Sequence, residues 1–425
     1  MENLKGKKLL ILGSTPITAN IVNKAKELGV YTIITDWNTP EKSPVKKESD
    51  EYWEISLSET DKIVELIKEQ NIDGVFTNYT DSYLPYYVDI CEKAGLPCLA
   101  NRYQIDQISN KDYSKAMCVR NGISVSKEYH IEKIEDVDNM AITYPVLTKP
   151  VDNSGQRGVL VCRNVEELKK CYEESLKFTD RGNVIIEEYV DGLYTVMNFA
   201  VQNGHVTLSA MADKPVTDDF IDNQPKLPFG YFLPSDYTSL CEEKVLPNVQ
   251  KFVDELELKN GVIGIEGVVK DNDIFVFEMQ FRLGGMCHNN FVLLENGMDI
   301  MAMLIRFALT GKFEGWNTSE YDNPYFKNHY CLLNFLIEAD TVGRIDGLDE
   351  VLQWPQVYSH VQKLRENDTV KLPGTVQQIA FKFSLVEKTK KDLMQLIEKI
   401  YNTVKVYNLK GENIVITPTY LGKMV

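Results

Sequence analysis

The chain has no Cys-x-x-Cys pair, no apolar run long enough to span a bilayer, no surplus of positive charge, and neither of the common glycine-rich nucleotide loops. Each absence narrows the function. The eight cysteines, at 91, 98, 118, 162, 171, 241, 287 and 331, do not cluster with the five histidines at zinc-type spacing. They read as buried thiols in a reducing compartment. Lys and Arg number 46 against 62 Asp and Glu, a formal net charge of −16. Such a chain has no field to gather nucleic acid phosphates or anionic lipid, so an anionic ligand must be held by a few placed cations. The opening MENLKGKKLLILGS carries only a short apolar stretch behind its lysines, too brief for a signal-peptide core. A soluble cytoplasmic protein without nucleic acid or membrane partners is therefore expected. Gly13 runs into Ser14-Thr15-Pro16 instead of a GxGxxG, and Gly155 and Gly158 lack P-loop spacing.

What is present is globular. The 425 residues, 44% hydrophobic and 25% charged, suggest two or three domains. The first hundred alternate short apolar strands with amphipathic helices: LLILG, a helix from about Thr18 to Leu28, VYTIITD, a helix near SETDKIVELIKEQ, then DGVFTN. This pattern argues for a parallel sheet, with the loops GSTPIT, DWNTP and NYTDS sharing its carboxyl edge. From Ser109, SNKDYSKAMCVRNGISV reads as a capped helix. YPVLTKP, GVLVCR and NVIIEEYV follow as strands around one helix, in a small α+β lobe. Strands dominate again to Arg282, interrupted by DNQPKLPFGYFLPSDYTS, whose lack of periodicity reads as an irregular lid over residues 224 to 238. The tail mixes strands and helices and shows no catalytic constellation.

The strongest internal signal is GVIGIEGVVKDNDIFVFEMQFRLGG, residues 261 to 285. Two strand-like runs flank Asp271-Asn272-Asp273. A three-residue turn pairs Lys270 with Ile274 and sets Glu266 directly opposite Glu278. Like charges facing each other across a sheet are unfavourable unless a cation lies between them. Period-two alternation adds Gln280 and Arg282 to the same face. Two carboxylates and an amide oxygen suit Mg²⁺, which typically takes one or two carboxylates together with substrate phosphates.

With these residues in hand, the chain resembles the ATP-grasp superfamily from its amino terminus to about residue 310. The likeness is strongest to the carboxylate-amine ligase branch, which includes L-amino acid ligases. SNKDYSKAM resembles the helix whose lysine reaches nucleotide phosphates, here Lys111. YPVLTKPVDNSGQRGV resembles the strand and loop carrying a second phosphate lysine, Lys149, and a small-residue cover with Ser154, Gly155 and Gly158. VIIEEYVDG resembles the interlobe hinge that reads adenine, through Glu187 and the backbone of Glu188 and Val190. FEMQFRLGG resembles the E-x-N-x-R signature as Glu278, Gln280 and Arg282, with Glu266 as partner carboxylate. Two departures stand out: Gln280 replaces the usual asparagine, and Leu193 and Tyr194 stand where a ribose-binding glutamate is usual, leaving Asp191 as its substitute.

The resemblance implies a fold of α/β and α+β parts: a Rossmann-like parallel-sheet domain (1-108), a small ATP-grasp lobe (109-190), a large lobe with the metal site (191-310) and a carboxy-terminal α+β subdomain (311-425). It implies ATP and Mg²⁺, or Mn²⁺ in its place, with small-molecule carboxylate and amine substrates, amino acids above all, and a homodimer. The implied reaction forms an amide through an acylphosphate, with Arg282 and Lys149 as catalytic residues. A carbamoyl phosphate synthetase-like enzyme acting on bicarbonate or carbamate is the alternative, although only one copy of the signature is present; an inactive nucleotide-binding scaffold is another. His288 reads as structural, and the roles of Lys214 and Arg157 stay open between ligand contact and exposed cation.

Overall fold

The computed structural model describes residues 2–151, 157–180, 182–217, 223 and 226–419. The expected mixed α/β architecture is what is found. Four parallel strands, β1 (Lys8–Leu12), β2 (Tyr31–Asp36), β3 (Glu51–Glu54) and β4 (Gly74–Phe76), pair in the order β3-β2-β1-β4. Strands β1 and β4 are apolar because helices cover both faces of this sheet. Leu9 and Ile11 face one side with the helix Ala19–Glu27, and Leu10 and Val75 the other, with the helices Thr60–Glu69 and Leu84–Ala94. The expected helices and strands of this region are present, and β3 is an addition.

The helix Lys111–Arg120 is capped by Asn110, whose side chain accepts from the backbone N–H groups of Asp112 and Tyr113. A three-stranded antiparallel sheet follows, with β5 (Val146–Pro150) between β6 (Leu160–Cys162) and β7 (Val184–Glu188), backed by the helix Val165–Leu176.

Beyond it lies an eight-stranded antiparallel sheet. It is built from β8 (Leu193–Gln202), β9 (His205–Asp213), β10 (Gly230–Leu233), β11 (Asn260–Lys270), β12 (Asp273–Gln280), β13 (His329–Leu336), β15 (Val357–Gln362) and β16 (Ile379–Glu387). Its order is β12-β11-β8-β9-β10-β13-β16-β15, and β14 (Val342–Asp346) pairs separately with β17 (Lys405–Asn408). Strands from beyond residue 311 thus complete the same sheet as β8 to β12. One face packs Met197, Phe199, Ile263, Ile265 and Met279 against helices. The other, carrying Val196, Ala210, Ala212 and Leu332, meets the parallel-sheet region through the apolar helix Ile300–Thr310.

The expected lid is corrected here. Within it lies β10, a strand paired on both sides, to β9 and β13. Its four residues are too short and too closely flanked by Pro228 and Pro234 for alternation to reveal them in sequence. Pairing with longer neighbours supplies the backbone partners that so short a run cannot supply alone. Among the described residues, no helix is long and apolar enough to cross a membrane.

Candidate active site

Glu266 does pair with Glu278, but by a route the sequence reading did not foresee. The β11–β12 turn has two residues, Asp271 and Asn272, both with positive φ (50° and 59°), and Lys270 pairs with Asp273. Such paired positive φ values are what a tight two-residue hairpin requires. On its own this shorter turn would set Glu266 opposite Phe277. A bulge between Glu266 and Gly267 takes up one residue of β12, because Gly267 pairs with Val276 and Glu266 with Glu278. The carboxylates end up together, and Gln280 on their face lies opposite Gly264. A Cβ at Gly264 would sit 2.9 Å from Gln280 Nε2, so the glycine makes room for the longer glutamine arm.

Lys214, which follows β9, is buried and meets Glu266 at 2.5 Å. Burial alone would lower its pKa, but Glu266 more than reverses this and holds the ammonium charged. Glu278 opens into a cavity yet lies deep among protein atoms. Burial, then Glu266, pushes its carboxyl up against the pull of Lys111 and Lys149. A carboxylate pair of which only one member has its own cation is a donor set that fits a divalent ion, with the Gln280 amide as third donor.

Arg282 forms a bidentate pair with Asp81 of the loop after β4, Nε to Oδ1 at 2.8 Å and Nη2 to Oδ2 at 2.5 Å. In the same loop, Asn78 accepts from the Leu283 N–H at 2.7 Å, and Tyr79 holds a φ of 66°. The parallel-sheet region therefore grips the residues just past the acidic hairpin.

On the other wall, Lys111 Nζ donates to the Pro150 carbonyl (3.2 Å) and Lys149 Nζ meets Glu187 Oε1 at 2.5 Å. Glu187, only 2% exposed, also takes Lys115 at 3.0 Å and the Ser126 hydroxyl at 3.0 Å. Burial would raise its carboxyl, but Lys149 and Lys115 bring it below the usual range. Glu187 is thus engaged by cations from two elements, instead of standing open to a ligand. Glu188 and Val190 line the cavity, with the Glu188 N–H donating to the Lys127 carbonyl at 2.8 Å.

Two adjoining cavities, of about 320 and 520 Å³, share Asp81, Lys111, Lys149, Glu187, Glu278 and Arg282. The smaller also reaches Glu266, Gln280, Lys214, Tyr194 and Tyr231. Most of the residues singled out from sequence converge here. Gly158 is absent from both linings, with φ +75° and a Cβ position 2.8 Å from Phe178, and Asp191 is exposed. Ser154 and Gly155 lie outside the described residues. His288 is buried, and its imidazole is pushed down to about 3 by that burial. Arg157 is exposed. Sequence reasoning missed Lys115, Asp81 and Tyr231. Only Asp81, in a loop at the sheet's carboxyl edge, carried a positional hint.

Residues 142–290 match the family model of the ATP-grasp domain. The chain is 27% identical over 203 residues to the 2-oxoglutarate carboxylase small subunit of Hydrogenobacter thermophilus, an alignment covering 44% of this chain and 43% of that one. It is 22% identical over 288 residues to the formate-dependent phosphoribosylglycinamide formyltransferase of Wolinella succinogenes, covering 65% of this chain and 70% of that one. Among solved structures, the L-amino acid ligase of Bacillus licheniformis superposes with a TM-score of 0.78 at 19% identity, over 95% of this chain and 99% of the other. The matched segment contains the Lys149 strand, the strand bearing Glu187 and Glu188, and the paired-carboxylate hairpin, and residues 142–290 form an ATP-grasp domain.

Proposed function

We propose that the chain is an ATP-dependent carboxylate-amine ligase. The observation that carries this reading is the convergence of Lys111, Lys149, Glu266, Glu278, Gln280 and Arg282 on one connected cavity. ATP lies with adenine against the Glu188–Val190 hinge and phosphates toward Lys111 and Lys149. In this reading the nucleotide is held between the 109-190 and 191-310 lobes, and the 1-108 domain closes the side at Asp81. Glu266, Glu278 and the Gln280 amide would hold Mg²⁺, or Mn²⁺ in its place, which supplies Lewis-acid charge at the phosphate oxygens when bound.

A substrate carboxylate attacks the γ-phosphorus; the bond to the β–γ bridging oxygen breaks, and ADP leaves. Lys111 and Lys149 stabilise charge on the phosphates. The amine then attacks the acylphosphate carbonyl, phosphate departs and the amine loses a proton. Arg282 stabilises the oxyanion in that step. Its fork is held by Asp81 before substrate arrives, which keeps the guanidinium aimed at the cavity.

Glu278→Ala tests the reading. ADP release with Mg-ATP and pooled amino acids should be abolished while the circular dichroism spectrum is kept; near-normal turnover in the folded variant removes the assignment. A second reading, in which the activated acid is bicarbonate or carbamate, draws on relatives whose names describe a carboxylase and a formate-dependent enzyme. Bicarbonate-dependent ADP release without an amine would favour it.

A further inference from the structure

Two lysines of the carboxy-terminal strands carry charge that, among the described residues, is not balanced as it is elsewhere. Lys46, Lys149 and Lys214, all buried, each face a carboxylate: Asp36 at 2.8 Å, Glu187 at 2.5 Å and Glu266 at 2.5 Å. Half-buried Lys382, in the middle of β16, has no such partner among the described residues. Burial lowers its pKa, and among the described residues the opposing influence is the Cys287 thiol. Lys363, just past β15, is lowered by burial and then by Lys382 itself. In a chain with a net charge of −16, two neighbouring cations without an acid among the described residues leave a place for a negative charge from a ligand.

Register fixes where they point. Tyr231 pairs with Leu332, Leu332 with Ser384, and Asn334 with Lys382. Directly paired residues share a face and alternate residues return to it. Lys382 therefore stands on the same face as Tyr231, which lines the cavity, about 12 Å away across two strand spacings and two residues along the strand. Two further links run to the cavity wall. Asn334 Nδ2 donates to the carbonyl of Pro228 (3.1 Å) and Lys363 Nζ to that of Val376 (3.2 Å); both Pro228 and Val376 line the cavity. Asn334 is 1% exposed, and its Oδ1 has no partner among the described residues.

The geometry points to an anion-binding end of the cavity, where Lys382 and Lys363 receive a carboxylate or phosphate group that the substrate carries in addition to its reacting group. Asn334 Oδ1 accepts an N–H or O–H hydrogen from the same part of the ligand. The inference rests on the ligase reading of the cavity, and it names the substrate class as one with a second acidic group.

Calorimetric titration without nucleotide tests it apart from catalysis, using paired probes: L-glutamate against L-glutamine, and O-phospho-L-serine against L-serine. At least one anionic probe should bind tenfold or more tightly than its neutral twin, and the pair showing the preference tells carboxylate from phosphate. Lys382→Met keeps the aliphatic stem and should reduce the preference to twofold or less. Its Tm should be unchanged or higher, because a poorly compensated charge is removed. Lys363→Met, at a more exposed position, provides a second variant and should reduce the preference about threefold. Equal binding of each anionic and neutral pair by the native protein overturns the inference, as does a preference that survives in both variants. ADP release stimulated equally by neutral and acidic compounds would sink this inference and spare the ligase reading. An anionic preference without ADP release from any compound would do the reverse.

Discussion

Replacing Glu187 with glutamine separates two roles for a residue placed by sequence at the adenine and by structure among lysines. The carboxylate holds Lys149 at 2.5 Å and Lys115 at 3.0 Å while only 2% exposed. Glutamine keeps the shape and removes the charge. Lys149 then has no acid partner among the described residues, and Lys115 keeps only Glu128 at 3.2 Å. Breaking a buried ion pair from one side typically costs about 3–5 kcal/mol. Both lysines retain some exposure, which places the expected loss near the lower end, about 3 kcal/mol. Differential scanning fluorimetry should show a lowered Tm without ligand. Saturating ATP should raise it by more than in the native protein, because triphosphate replaces the missing negative charge. Discrimination between ATP and GTP should be unchanged. If Tm is unaffected while discrimination collapses, Glu187 reads the base and the anchoring argument is wrong.

Gly264→Ala puts a Cβ 2.9 Å from Gln280 Nε2 and should displace that amide. The Mg²⁺ concentration for half-maximal activity should rise about tenfold, and Gln280→Asn in the same chain should recover most of it; an unchanged Mg²⁺ titration refutes the role of Gly264. Asp322 is not among the residues that line the two cavities. Burial pushes its carboxyl up to about 6, even though Thr207 and Ser209 donate to it, and its Oδ1 is unpartnered among the described residues. Between about pH 4 and 6 the folded chain holds a proton that the unfolded chain has lost, so stability falls as pH rises through that window. Asp322→Asn should therefore be about 2–3 kcal/mol more stable at pH 7 and lose that advantage toward pH 4. A difference from the native protein that does not change between pH 4 and 7 contradicts this.

The facing carboxylates were legible because alternation and a turn-rich tripeptide carry most of the register. The turn is one residue shorter than the sequence suggests, and a bulge, which leaves no mark in the polar–apolar pattern, offsets the difference. The strand ending in Lys149 and Pro150, the capped helix Lys111–Arg120 and the strand Val184–Glu188 could likewise be read from local sequence. The pair between Asp81 and Arg282, two hundred and one residues apart, could not, because nothing local marks a contact between separate sheets. Lys214 was ambiguous for a similar reason: a lysine after a strand looks the same whether it meets water or Glu266. Strand β10 reads as lid in sequence because its identity as a strand comes from its two neighbours, not from its own four residues.

Isotope transfer tests the central claim most directly. Amino acids labelled with ¹⁸O in the carboxylate would be incubated with the native protein and Mg-ATP, and the released phosphate examined by mass spectrometry. Activation through an acylphosphate predicts one ¹⁸O atom in the phosphate for each amide formed, together with one ADP. Amide formation with unlabelled phosphate, or nucleotide bound but never cleaved with any pool, would contradict the ligase mechanism.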